Sequence, residues 1–318
     1  MRSPSLDQSL LSWWSYGSTP FNHGRLSAKR VTNDVLQWID THRDNPFYLY
    51  VHYMDVHSPY DGKWYPLFNS KIYPLQNRKE KFVNIYDGRI LYVDTQIHRI
   101  WEYLTQTNLS QNTLLIITSD HGEEFFDHDR RGHSFTLYDE LIKVPLLMIC
   151  DSIPGLGRRV ARQVQLLDLP ITVLDFLGIE APEQIEGQPL IPLSSASPHL
   201  KPPYALSYTS KGQNKRKTEK GKIVRFNNLD NTIVLESLRV GNEWKIILGS
   251  DGQAELYNLQ GDANEKNNLH KIEYHMLNTL RETLLEYSSP LKRYVPKKEK
   301  HVLSPDAKSR LKALGYIK

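Results

Sequence analysis

The chain has 318 residues, 39% hydrophobic and 24% charged, which suits a soluble globular protein built as one large α/β domain or a large domain with a small companion. Forty Lys and Arg against 36 Asp and Glu give a net charge of +4, too little for a general polyanion or nucleic-acid binder. The single cysteine, Cys150, excludes an intrachain disulfide, no apolar run is long enough to span a membrane, and Met1-Arg2-Ser3-Pro4-Ser5 has no signal-peptide core, so localisation stays open.

Residues 1–26 show no period and read as irregular. Ser27 can cap a helix through Val31, Val35, Leu36 and Ile39, stopped by Asp44-Asn45-Pro46. Phe47–Met54 is almost continuously β-prone and predicts a strand, which ends in the polar cluster Asp55-Val56-His57-Ser58-Pro59-Tyr60. Lys79–Thr107 carries a helical pattern, with Ile90, Val93, Ile97, Ile100 and Leu104 spaced by three and four. Leu114–Ser119 predicts a buried strand that runs straight into Asp120-His121-Gly122-Glu123. A polar loop over Glu123–Ser134, the segment Leu137–Ile142 and a strand over Val144–Ile149 follow, with Cys150 as a small core residue. Leu169–Leu177 is a short helix ended by Gly178. This rhythm predicts a mostly parallel sheet flanked by helices over residues 1–187.

Prolines then mark a linker over residues 188–203. Beyond it, Tyr204–Tyr208, Thr232–Val240, Trp244–Leu248 and Glu255–Leu259 read as strands, and Gly249-Ser250-Asp251-Gly252 as a hairpin turn. Tyr274–Tyr287 is helical and Pro305–Tyr316 a short terminal helix. Residues 204–318 are therefore expected to form a small antiparallel α+β subdomain.

Three polar clusters lie near strand ends: Asp55 with His57, Asp120 with His121, and His128 with His133. Ligands bind outside the carboxyl ends of strands in open α/β sheets. Asp120 and His121 can reach one cation from a turn that Gly122 permits. His57 is either a turn residue beside Ser58-Pro59 or a contact to an anion. His133 is either a polar loop residue after Gly132 or a second such contact.

These segments resemble the sulfatases of the alkaline-phosphatase superfamily. Asp55–Tyr60 is similar to the family's H-x-P-H/Y segment, and Ser119-Asp120-His121-Gly122-Glu123 to its second metal-binding segment. Gly132-His133 through Tyr138-Asp139-Glu140 to Val144-Pro145-Leu146 is similar to its G-H-x-x-x-L-Y-D-E-x-x-x-V-P-L run. Glu255-Leu256-Tyr257-Asn258-Leu259, Asp262 and Asn267-Asn268-Leu269 resemble E-L-Y-D-L-x-x-D-P-x-E-x-x-N-L, and Leu311–Tyr316 resembles the tail of many bacterial members. The resemblance implies that Asp120 and His121 bind a divalent cation, Ca²⁺ by family habit, with Mn²⁺, Mg²⁺ or Zn²⁺ also admissible. It implies that His57 contacts the sulfate or its leaving oxygen, and that His133 replaces the family's basic sulfate-binding residue. The substrate it implies is a sulfated small molecule or glycan, selected by loops such as Asp61–Gln76 and Lys211–Arg225.

The sequence also departs from the family. Sulfatases begin with a strand ending in paired aspartates, then C-x-P-S-R or S-x-P-S-R, whose first residue becomes the formylglycine nucleophile. Neither occurs in these 318 residues, and Cys150 is followed by Asp151-Ser152-Ile153. The expectation is an incomplete core with half its metal ligands. Three readings stay open: a truncated sulfatase inactive alone, one half of a split enzyme completed by an N-terminal polypeptide, or a phosphoryl-transfer relative. The Asp-His pair, where many sulfatases have Asp-Asn, admits the last. A non-catalytic anion-binding remnant is the alternative outside enzymology.

Overall fold

The structure, a computed structural model, describes residues 28–58, 78–153, 159–183, 185–191, 204–212, 216–217, 223–224 and 232–288. The Ser27 cap, the loop at 61–76, most of the linker and the helix expected over Pro305–Tyr316 lie outside them. The chain divides into two compact units, Met1–Tyr103 with Tyr294–Lys318, and Leu104–Arg293.

In the first unit, α1 (Ala28–His42) buries Ala28, Thr32 and Ile39 along one stripe and stops ahead of Asp44-Asn45-Pro46. It lies beside α2 (Arg78–Gln106), joined by Arg99 donating to Asn33 at 2.7 Å and Tyr103 donating to Asp40 at 2.7 Å. The apolar spacing on α2 places Val93, Ile100 and Leu104 correctly in the buried stripe but misplaces Ile90. Ile85, Arg89, Val93, Gln96 and Ile100 are buried, whereas Ile90 is exposed. Arg89 holds its place by donating to the His57 carbonyl at 2.8 Å. A buried polar group with a partner can occupy a helical core position as readily as an apolar one.

Phe47–Met54, expected as a strand, is extended but belongs to no ladder among the described residues. Its burial alternates residue by residue, leaving Tyr48 75% and Tyr50 78% exposed. β-branched and aromatic residues set an extended backbone, but a strand also needs a neighbour to bond to.

In the second unit, β1 (Leu115–Thr118) pairs with β4 (Leu146–Ile149) from Leu115↔Ile149 to Thr118↔Leu146. The pairing is antiparallel, so the mostly parallel arrangement expected of the core does not extend to this pair. The chain between them explains it. It holds a short hairpin, β2 (Glu124–Phe125) with β3 (Arg131–Gly132), and a one-turn helix, α3 (Asp139–Ile142). A parallel return requires a crossover, usually a long helix, which this connection lacks. The hairpin also replaces the featureless loop expected at Glu123–Ser134. Cys150 is buried at the end of β4, as expected of a small core residue. After it comes α4 (Asp168–Phe176), which ends ahead of Gly178 at a φ of 66°.

The C-terminal sheet comprises β5 (Tyr204–Gly212), β8 (Thr232–Val240), β9 (Trp244–Gly249) and β10 (Ala254–Asn258), in the order β10-β9-β8-β5 and antiparallel throughout. A two-residue ladder, β6 (Arg216–Lys217) with β7 (Ile223–Val224), lies between β5 and β8 in sequence. The two faces of the sheet divide by strand alternation. Leu238, Ile246 and Leu256 pack on Leu277, Leu280 and Leu284 of α5 (Tyr274–Ser288). Ile247 and Tyr257, the next residues along, pack on Leu137, Tyr138 and Ile142 instead.

That second face carries a buried ionic joint. Lys245 on β9 is fully buried, 2.9 Å from Asp139 and 2.7 Å from Glu265. Arg239 on β8 reaches Asp139 at 3.2 Å, and the Asp139 backbone N–H donates to Glu265 at 2.6 Å. Tyr138 and Tyr257 both donate to Glu255, at 2.9 and 2.6 Å. The Tyr138-Asp139-Glu140 segment thus plugs into the C-terminal sheet.

Candidate functional site

The turn after β1 is fixed from three sides. Thr118 donates to the Pro145 carbonyl at 2.9 Å, and Ser119 donates to the His121 carbonyl at 2.6 Å. Gly122 donates its N–H to the Leu141 carbonyl at 2.8 Å, and a Cβ there would sit 2.0 Å from the Glu140 carbonyl oxygen. Only glycine allows the turn to lie this close to α3.

The turn sets Asp120 and His121 side by side. The His121 backbone N–H donates to Asp120 Oδ1 at 3.0 Å, while Asp120 Oδ2 lies 3.8 Å from His121 Nε2. His121 Nδ1 faces the Gly122 carbonyl at 2.8 Å and donates its proton there, which makes Nε2 the lone-pair nitrogen. A metal-binding histidine is held in this manner, with its other nitrogen tied to a carbonyl. A gap of 3.8 Å also suits two ligands on one cation with bonds of roughly 2.0–2.5 Å. The geometry of the pair is compatible with two ligands of one divalent cation.

His133 joins this group. Its ring centroid lies 4.2 Å from that of His121, with the planes 33° apart. His133 Nδ1 is 2.9 Å from Glu123 Oε2. This hydrogen bond raises the imidazole above its ordinary pKa against the opposing effect of partial burial, and the charges of Glu123 and Asp120 push the same way. Four residues from two stretches of sequence, Asp120, His121 and Glu123 from one and His133 from the other, thus form one polar cluster.

His57 belongs to the other compact unit. There its Nδ1 lies 2.8 Å from the Ser58 carbonyl and its own carbonyl accepts from Arg89.

A second group lies beside the first. Glu124, His128 and Glu140 each offer one ligand atom, all within 4.8 Å of one another. Hydrogen bonds already occupy them. Glu124 Oε1 accepts from the backbone of His128 and Arg130, at 3.0 and 2.9 Å, which closes the β2–β3 turn. His128 lies 2.6 Å from Glu140 and 2.9 Å from the Glu265 carbonyl, and it stacks on Tyr138 with centroids 3.6 Å apart. His128, which the sequence groups with His133, therefore fastens the hairpin to α3 and the C-terminal subdomain.

The Sulfatase family profile matches residues 6–179, more than half of the chain. The chain belongs to the sulfatase family. Human arylsulfatase K is 27% identical to this sulfatase over 268 residues, an alignment covering 80% of this chain and 44% of that protein. The chain therefore spans less than half the length of that relative. A structure of the sulfatase yidJ from Bacteroides fragilis, described as putative by its determiners, superposes with a TM-score of 0.63 at 19% identity, covering 89% of this sulfatase and 60% of that chain. A phosphonate monoester hydrolase from Silicibacter pomeroyi superposes at 0.52 with 22% identity, over 74% of this chain and 46% of its own. These likenesses establish the alkaline-phosphatase-like α/β fold with its C-terminal antiparallel sheet. Sulfatase-family sites hold a divalent cation, a chemistry that the Asp120/His121 pair suits.

Proposed function

We propose that this chain forms the cation-binding and anion-facing part of a sulfuric ester hydrolase site. The convergence of Asp120, His121 and His133 on one patch at the end of β1 carries the reading. Asp120 Oδ2 and His121 Nε2 would hold the cation, with Ca²⁺ favoured by the family and Mn²⁺, Mg²⁺ or Zn²⁺ admitted by the imidazole. A bound cation neutralises nonbridging oxygens of a sulfate ester. His133 supplies a cationic hydrogen-bond donor to those oxygens. The family resemblance alone would give His57 a contact to the sulfate or to the departing oxygen, a role suited to an imidazole near neutral pH.

The nucleophile is not among these residues, because no C-x-P-S-R or S-x-P-S-R occurs in the sequence. We therefore propose that the chain is inactive by itself. The paired aspartates and the formylglycine strand would come from a further segment or a separate polypeptide. Substrates of the assembled site are sulfated small molecules or glycans. A phosphoryl-transfer reading has one observation in its favour, the fold shared with the phosphonate hydrolase.

The test has two parts. The purified chain should give no aryl-sulfate or phosphonate-ester turnover above a buffer blank; turnover would overturn the inactive reading, and the preferred ester would choose between the two chemistries. Calorimetry with Ca²⁺ and Mn²⁺ should show a site that Asp120→Ala abolishes. Unchanged binding in that variant would reject the assignment of the ligands.

A further inference from the structure

Glu123 has no role in the reading above, yet its placement is specific. The β2–β3 register pairs Phe125 with Arg131 and Glu124 with Gly132. Just beyond the end of this ladder, the side chains of Glu123 and His133 meet. Directly opposed residues of an antiparallel pair are the ones whose side chains meet. Successive residues point to opposite faces, so Glu124 turns inward to close the hairpin while Glu123 turns toward the cluster. Its side chain is 6% exposed, with Oε2 2.9 Å from His133 Nδ1. The backbone bends sharply on both sides of the histidine, with φ of 100° at Gly132 and 79° at Ser134. A serine with positive φ is strained, and such strain persists where surrounding contacts hold it.

We propose that Glu123 is a positioning residue for His133, accepting from Nδ1 and fixing the ring plane so that the Nε2–H of the imidazole meets a bound sulfate group in one orientation. The proposal rests on the reading of His133 as an anion contact. Glu123 lies behind the histidine and does not touch the substrate. The hairpin turn sets the distance between them, which makes the spacing of Glu123 and His133 in sequence part of the site.

The competing reading is that Glu123 is a buried carboxylate that needs any partner. Shape and charge separate the two. Glu123→Gln keeps the length and an acceptor oxygen but loses the charge. Glu123→Asp keeps the charge but withdraws the acceptor by one methylene. Two measurements on the full chain decide the question. The first is the imidazole nitrogen NMR spectrum of His133, assigned by its loss in His133→Ala. The second is calorimetric titration with inorganic sulfate in the presence of Ca²⁺.

The wild-type ring should be held with its proton on Nδ1. Glu123→Gln should keep that signal and stay within about threefold in sulfate affinity. Glu123→Asp should show faster exchange of the Nδ1 proton with water and about tenfold weaker binding. Wild-type ring signals and affinity in a folded Glu123→Asp protein would overturn the proposal. So would loss of both in Glu123→Gln alone, because charge and not position would then be the cause. If the wild type binds no sulfate, the anion-contact reading fails, and the ring spectrum decides the positioning role by itself: an Nδ1 proton protected in the wild type and exchanging in Glu123→Asp supports it, and a spectrum unchanged by the substitution rejects it.

Discussion

Replacing Lys245 with Met removes one positive charge while nearly conserving volume, at a site with no exposure to water. The ammonium sits between Asp139 at 2.9 Å and Glu265 at 2.7 Å, and the Glu265 side chain is equally inaccessible. Asp139 keeps Arg239 as a partner, but Glu265 loses its only ion pair among the described residues. Removing one member of a buried pair costs about 3–5 kcal/mol. A domain is stable by only about 5–15 kcal/mol, so the variant should lose a large fraction of its stability. The loss should depend on pH. Burial raises the Glu265 carboxyl above its ordinary pKa, and the Lys245 charge only partly offsets this. Without Lys245 the folded-state pKa should rise further. A group with a raised folded pKa stabilises the fold below its unfolded value, about 4.3 for Glu, and that contribution is lost as pH rises through the folded value. The penalty of the substitution should therefore be small near pH 4.5 and grow toward pH 8. Urea unfolding followed by circular dichroism at several pH values measures it, and adding Glu265→Gln should restore more than about 1 kcal/mol through coupling. A loss below about 1 kcal/mol that does not change with pH would refute the account of the joint.

Two further outcomes follow from named contacts. Gly122→Ala places a methyl 2.0 Å from the Glu140 carbonyl oxygen, so the turn or α3 must move. It should destabilise by about 1–3 kcal/mol and weaken Ca²⁺ binding, read by melting and calorimetry; wild-type values in both would show that the close approach is not needed. Tyr48→Ser with Tyr50→Ser removes exposed aromatic surface from the extended segment before His57. Stability should change by less than about 0.5 kcal/mol while self-association falls in light scattering, and unchanged scattering would count against this segment as a sticky edge.

The sequence shows the polar ends of the elements better than their partners. Asp120 and His121 are legible because an apolar run stops abruptly in charged residues, and His133 because it follows a glycine within a family-like run. Glu123 stands in the same polar run, but nothing there marks His133 as its partner. Its meaning depends on the β2–β3 register, a hairpin too short for propensity to reveal. One position on α2 is misread for a related reason. Hydrophobic spacing selects Ile90, but Arg89 takes the core position because the His57 carbonyl satisfies it. Phe47–Met54 shows the limit of β propensity, which specifies an extended backbone but not what lies beside it. The strands at 232–240, 244–249 and 254–258 are read well because each is rich in apolar and β-prone residues and the turns joining them are short.

The ionic joint has a consequence for how such proteins can be recombined. Asp139 is on one side of it, and Lys245 and Arg239 are on the other, about a hundred residues later in the chain. The Pro-rich stretch between them looks like a natural crossover point. A chimera spliced there would take its plug from one parent and its socket from another. Swaps should succeed only when both parents carry the same charged set, or when the segment from Tyr138 to Glu140 travels with the C-terminal sheet. The boundary that matters for exchange is thus drawn by complementary charges and not by prolines.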